Sequence, residues 1–130
     1  MKKRLFALTV LCLGLITITT ASELVTSKKA SNYTVTQQKE IKIEGVGVNH
    51  KIEATGNEII SIEGTNNKIT IVGACYSIKV EGVDNFITVD DVKSISIEGT
   101  GNKVNYKKTS AADGKVTTAI AGVNNKITKL

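Results

Sequence analysis

Proline and tryptophan are missing from the 130 residues, and the aromatic complement stops at two Phe and three Tyr. The lack of proline excludes a proline-rich linker or stalk. Cysteine occurs twice, at Cys12 and Cys75, and histidine once, at His50. That supply makes no disulfide framework and no Cys/His spacing of a zinc site. With one histidine, no Ser-His-Asp constellation can be proposed among the many serines and threonines. No phosphate-binding loop is present. No apolar run reaches the ~20 residues of a membrane-spanning helix.

What is plentiful is Gly, Asn, Ile, Val and Thr, with 41% apolar residues overall. The mix is too apolar for a disordered chain and favours short strands joined by tight turns. The length suits one domain.

Lys2, Lys3 and Arg4 form a basic head, Leu5 to Ile18 is mostly apolar, and Thr19-Thr20-Ala21 ends in a small residue. This three-part pattern predicts a secretory signal peptide over residues 1–21, with cleavage after Ala21. An uncleaved anchor is the alternative. Cys12 does not make a lipoprotein signal, because Leu11 stands where a small residue is needed and the apolar run continues past it. Residues 22–40 read as an N-terminal linker or cap, and 41–130 as the folded domain.

Cleavage changes the charge balance. The whole chain carries 17 basic and 12 acidic residues, net +5; without the three in the head it is 14 against 12, net +2. No clustered basic face remains to argue for a nucleic-acid partner. No membrane partner is expected after cleavage, and the expected location is periplasmic or extracellular. Cys75, the one thiol left, reads as a small buried hydrophobe, with an intermolecular disulfide as the rival.

The decisive feature is an internal repeat. Ile62-Glu-Gly-Thr-Asn-Asn-Lys-Ile69 recurs as Val80-Glu-Gly-Val-Asp-Asn-Phe-Ile87, Ile97-Glu-Gly-Thr-Gly-Asn-Lys-Val104 and Ile120-Ala-Gly-Val-Asn-Asn-Lys-Ile127. An earlier variant, Ile43-Glu44-Gly45 through Asn49-His50-Lys51-Ile52, reads as having two extra residues in its turn. Gly64, Gly82 and Gly99 are 18 and 17 residues apart; Gly122 follows at a longer interval, whose excess lies in the polar stretch 107–115.

Each repeat holds two alternating runs, such as Ile60-Ser61-Ile62 and Ile69-Thr70-Ile71, so each strand buries one face. Cys75 and Val92 suggest a third side. A unit this short cannot bury its apolar face alone, but stacked copies share one core. The predicted fold is all-β: a short right-handed parallel β-helix, or β-solenoid, of about 17–18 residues per rung. An antiparallel meander is the competing fold, but it gives no reason for one rung spacing. The glycines permit positive φ at a sharp corner. Asn67, Asn85, Asn102 and Asn125 lie two before an inward apolar residue, so they are expected to point inward as a hydrogen-bonded asparagine ladder, with His50 as its terminus.

These Ile-x-Gly-x-x-Asn-x-Ile repeats behind a signal peptide resemble an uncharacterised bacterial family, domain of unknown function number 3060. The resemblance covers about residues 41–130. It implies a small exported repeat protein and carries over no catalytic residue and no cofactor.

Candidate surface groups are few. Glu44, Glu63, Glu81 and Glu98 share the position before the corner glycine, and Lys51, Lys68, Lys103 and Lys126 the position past it. Mutually neutralising columns are the expected reading, with cation binding or acid–base catalysis as the alternatives. Asp90-Asp91 reads as a polar turn rather than a calcium repeat. Phe86 interrupts the lysine column and is expected to face outward; a lone exposed aromatic without a role is the expected reading, with contact to a partner or a sugar ring as the alternative. The expected role is a non-enzymatic structural or interaction module, with a carbohydrate-binding or adhesive module as the alternative. The partner is an unknown protein or glycan. The last rung ends near Ile127 and Leu130 without an evident cap, which adds end-to-end self-association to the expectations. The facing of the strands is directly testable. Ile69→Asp is expected to cost several kcal/mol in thermal unfolding, and Thr70→Asp little; equal melting shifts refute the assignment.

Overall fold

The computed structural model describes residues 37–130; the expected signal peptide, and the linker up to residue 36, lie outside the described residues. The compact unit holding the sheets spans Val35–Leu130. Its elements are all strands: β1 (Glu40–Val46), β2 (Asn49–Thr55), β3 (Ile59–Thr65), β4 (Lys68–Val83), β5 (Phe86–Thr100), β6 (Lys103–Lys108), β7 (Thr117–Val123) and β8 (Lys126–Lys129). Among the described residues, no helix is long and apolar enough to cross a membrane.

Every pairing is parallel, and the strands build two faces. The first stacks β1, β3, the second half of β4, the second half of β5, and β7. The second stacks β2, the first half of β4, the first half of β5, β6 and β8. The long strands β4 and β5 run over the third side between the faces, where Cys75 pairs with Val92. The chain therefore coils as a β-solenoid. On the first face, Glu40, Ile59, Ser77, Ser94 and Thr117 stand in one file, so successive rungs take 19, 18, 17 and 23 residues. The 17–18-residue unit holds for the inner rungs, and the surplus in the fourth lies between β6 and β7.

Alternation within each strand fills the bore. Ile60, Ile62, Ile69, Ile71, Ile78, Ile87, Ile95 and Ile97 are fully buried, with Val80, Val89, Val92, Val104 and Cys75 among them. Each isoleucine sits over its counterpart: Ile41, Ile60, Ile78 and Ile95 in one file, His50, Ile69, Ile87, Val104 and Ile127 in another. Burial of each such side chain is worth about 1.5–3 kcal/mol. β-Branched residues fit this role because their stiff side chains pack well on a pleated surface.

The corner between the faces sets the rung spacing. Gly45, Gly64, Gly82, Gly99 and Gly122 are in register. A Cβ at Gly82 would lie 1.9 Å from the Gly64 carbonyl oxygen, and one at Gly99 would lie 2.0 Å from that of Gly82. These glycines are required by backbone-to-backbone approach as well as by positive φ. Two residues on, Asn66, Asp84 and Asn124 take φ of 58°, 51° and 57°, and Gly47 and Gly101 fill the same place. Asn and Asp are the side chains that tolerate this left-handed conformation best. The hydrogen-bond ladder runs on through the corner, with Asn66 N–H donating to the Val83 carbonyl and Asp84 N–H to that of Thr100, both at 2.9 Å.

Gly82→Ala is expected to destabilise by about 4 kcal/mol or more, because two rungs must separate. Gly114→Ala, where an added Cβ meets nothing within 4 Å, is expected to cost only the left-handed backbone penalty of about 1–2 kcal/mol. Equal melting shifts for the two variants would show that the corner glycines serve φ alone.

Candidate functional site

The asparagines form a directional ladder. The Asn67 Oδ1 accepts from the backbone N–H of Val48 (2.8 Å), Asn85 Oδ1 from Asn67, Asn102 Oδ1 from Asn85 and Asn125 Oδ1 from Asn102, the last three at 3.0 Å. Each Nδ2 donates back to a corner glycine carbonyl: Asn67 to Gly45, Asn85 to Gly64, Asn102 to Gly82 and Asn125 to Gly99, at 2.8–3.0 Å. Asn85 and Asn102 also donate to the amide oxygen of the next asparagine, at 2.9 and 3.1 Å. Asn67, Asn85 and Asn102 are 1%, 1% and 0% exposed. Burial at this depth is tolerated because the amides are paired.

His50 is not part of the ladder. It pairs in register with Ile69 and is exposed, while Val48 holds the place of the asparagines. The turn from Gly45 to Val48 matches Gly64 to Asn67 residue for residue, so the two extra residues expected there do not exist. The same shift moves Lys51 out of the lysine column: it pairs with Thr70, and Asn49 pairs with Lys68. Lys68, Phe86, Lys103 and Lys126 are one file, with Phe86 between lysines and 37% exposed.

Glu44, Glu63, Glu81 and Glu98 also form a file. The mutual neutralisation expected of the two columns does not occur, since no ion pair among the described residues joins one to the other. Instead Lys42, on β1, pairs with Glu44 and with Glu63, at 3.0 Å for the latter. Hydrogen bonds to these carboxylates raise the Lys42 pKa, and Lys42 in turn lowers that of Glu44. Asp90 and Asp91 face lysines of the next rung, Lys107 at 2.6 Å and Lys108 at 3.5 Å. Lys107 first, then the Gly73 N–H, hold the Asp90 carboxyl below its usual range.

The third side carries groups that periodicity does not reveal. Glu58 is 7% exposed, and its Oε2 accepts the backbone N–H groups of Thr55, Gly56 and Asn57 at 2.9–3.1 Å. Its Oε1 accepts the Thr55 hydroxyl at 2.7 Å. That hydroxyl bond, with the backbone donors, outweighs burial and holds the carboxyl at about 2. The backbone of Glu58 also starts the third side, its carbonyl accepting the Tyr76 N–H at 2.8 Å. Burial, and then the charges of Glu58 and Asp91, push the Cys75 thiol up to about 12, so it is an inert core group. Tyr76 is 41% exposed, with the Lys93 ammonium 5.7 Å from its ring centre. The sequence signal for this pair was their equal place one residue after Cys75 and Val92, legible only once those two were aligned.

Two open grooves lie along the stacked strands, the second of them beside the segment joining β6 to β7. One, of about 550 Å³, is lined by Gly73, Asp90, Asp91, Lys107 and Lys108; the other, of about 520 Å³, by Tyr76, Ser77, Lys93, Ser94, Ser110 and Thr117. The charges of the first are paired with each other. The second brings hydroxyls, an aromatic ring and one ammonium together without a carboxylate.

In-register parallel coils with a glycine corner and an amide ladder define a β-solenoid repeat protein. Residues 62–119, from β3 into β7, match the model of the family described as "Protein of unknown function (DUF3060)", the family that the repeats resemble. No curated protein and no solved structure matches the chain.

Glu58 gives a pH signature. Its folded pKa lies below the ordinary 4.5, so its stabilisation is complete above that value and is lost as pH falls towards about 2. Glu58→Gln is expected to cost about 2 kcal/mol at neutral pH and to flatten the fall in melting temperature over that acid range. An unchanged acid slope would remove Glu58 as its source.

Proposed function

We propose that this chain is an exported, non-enzymatic interaction module that works through a rigid face of stacked side chains. The carrying observation is the register of the second face: Lys68, Phe86, Lys103 and Lys126 project in one file, beside Thr70, Thr88, Asn105 and Thr128 in another. Their spacing of about 4.8 Å is fixed by the sheet. Such a surface is pre-organised and binds without an ordering cost. Export is supported by the basic head and the apolar run of residues 2–18. Self-association belongs to the same reading, since Ile120, Val123 and Leu130 are 52%, 61% and 65% exposed on the last rung.

A carbohydrate-binding module is the second reading, favoured by the exposed aromatics Phe86, set among polar columns, and Tyr76. Light scattering over a wide concentration range, together with a glycan array probed by wild type and Phe86→Ala, tests both readings. The self-association proposal expects mass to rise with concentration, and a strict monomer ends it. The carbohydrate reading expects glycan signals, and a blank array ends it.

A further inference from the structure

The fourth rung takes 23 residues where the third takes 17, and the surplus is a folded overhang rather than a slack loop. Ser110 N–H donates to the Asp91 carboxylate at 2.8 Å, and Asp91 is itself 5% exposed. Ala111 N–H reaches the Thr109 hydroxyl at 3.1 Å, Gly114 N–H the Ala111 carbonyl at 3.0 Å and Lys115 N–H the Asp113 carboxylate at 3.0 Å. Val116 closes the segment by packing on the core. In solenoids, insertions into a single repeat gather on one face and often form the binding face.

This overhang walls the groove of about 520 Å³ over Tyr76 and Lys93, a volume within the range of small-ligand sites. Its polar lining is Ser77, Ser94, Ser110 and Thr117, and its apolar part is the half-exposed Tyr76 ring with Ala111 and Ala112 of the overhang. Its one charge is the Lys93 ammonium, which stands over that ring and pairs with no carboxylate among the described residues. A cation held by a ring and left without a counter-charge selects an anion. Hydroxyls on several sides select a polyol, and the ring selects a flat, partly apolar surface.

The geometry points to a uronic-acid residue of an acidic saccharide as the ligand of this groove. Its carboxylate faces Lys93, its hydroxyls meet the serines and Thr117, and its ring lies along Tyr76. This assignment rests on the carbohydrate reading but places the binding site at the overhang rather than at Phe86.

The test is an amide NMR titration of the full chain with tetragalacturonate, and in parallel with a neutral glucan tetrasaccharide. The expected dissociation constant for the acidic ligand is on the order of 10⁻⁴–10⁻³ M, with shifts at Ser77, Ser94 and Ser110. Lys93→Met and Tyr76→Ala are each expected to weaken binding about tenfold while leaving the remaining amide spectrum in place. Phe86→Ala is expected to leave it unchanged. Equal binding of the neutral tetrasaccharide, or full affinity in Lys93→Met, overturns the uronic-acid assignment. Shifts confined to the strands around Phe86 overturn the groove while upholding the carbohydrate reading. No shift with either saccharide overturns both.

Discussion

The contact on which the rest depends is the one between rungs at the glycine corner. There a backbone carbonyl of one coil sits where the next coil's Cβ would be, and an asparagine amide of that next coil ties itself to the same carbonyl. Glycine and asparagine are therefore one device in two residues. The first lets the coils close to sheet spacing, and the second satisfies the polar groups that closing would bury. With this corner fixed, the isoleucines fall over one another and the parallel ladders on both faces follow. A side chain at the glycine or an apolar residue at the asparagine breaks the same joint.

That device explains what could be read from the sequence. The glycine file, Asn67, Asn85, Asn102 and Asn125, the pairing of Cys75 with Val92, and the outward place of Phe86 all follow from a repeat of nearly constant length. The first rung did not, because Asn49-His50-Lys51-Ile52 imitates the downstream Asn66-Asn67-Lys68-Ile69 and invites an alignment by apolar spacing. Parallel register instead counts from the glycine, which puts Val48 at the ladder and sends His50 and Lys51 elsewhere. The terminal rung can carry Val48 because its backbone N–H still finds the Asn67 amide.

Other features were illegible for a physical reason. Glu58 occupies the start of the third side, where the next two rungs carry Cys75 and Val92, so hydropathy assigns it to solvent. Only the converging N–H groups of Thr55, Gly56 and Asn57 make a buried carboxylate acceptable there. The charge columns misled in the opposite sense. Facing a turn from its two sides brings residues near in sequence, but three of the four ion pairs among the described residues run between rungs, as Lys42 to Glu63 and Lys107 to Asp90 do, and the fourth joins Lys42 to Glu44 within one strand. The overhang above Tyr76 was visible only as surplus length, and its anchoring by Asp91 is a matter of three dimensions.

The amide ladder also has a sense. Every asparagine bonds to the coil before it through both its amide oxygen and its amide nitrogen, and Asn85 and Asn102 add a bond to the coil after. Each inner coil thus presents one surface made to receive an amide and one made to offer it, and these surfaces are alike from coil to coil. The segment from Ser77 to Lys93 begins one position above Ser94 in the same file. A second copy of that segment inserted after the first would meet matching neighbours on both sides. The molecule is modular along its axis, and its length is adjustable in whole coils without redesign of any joint.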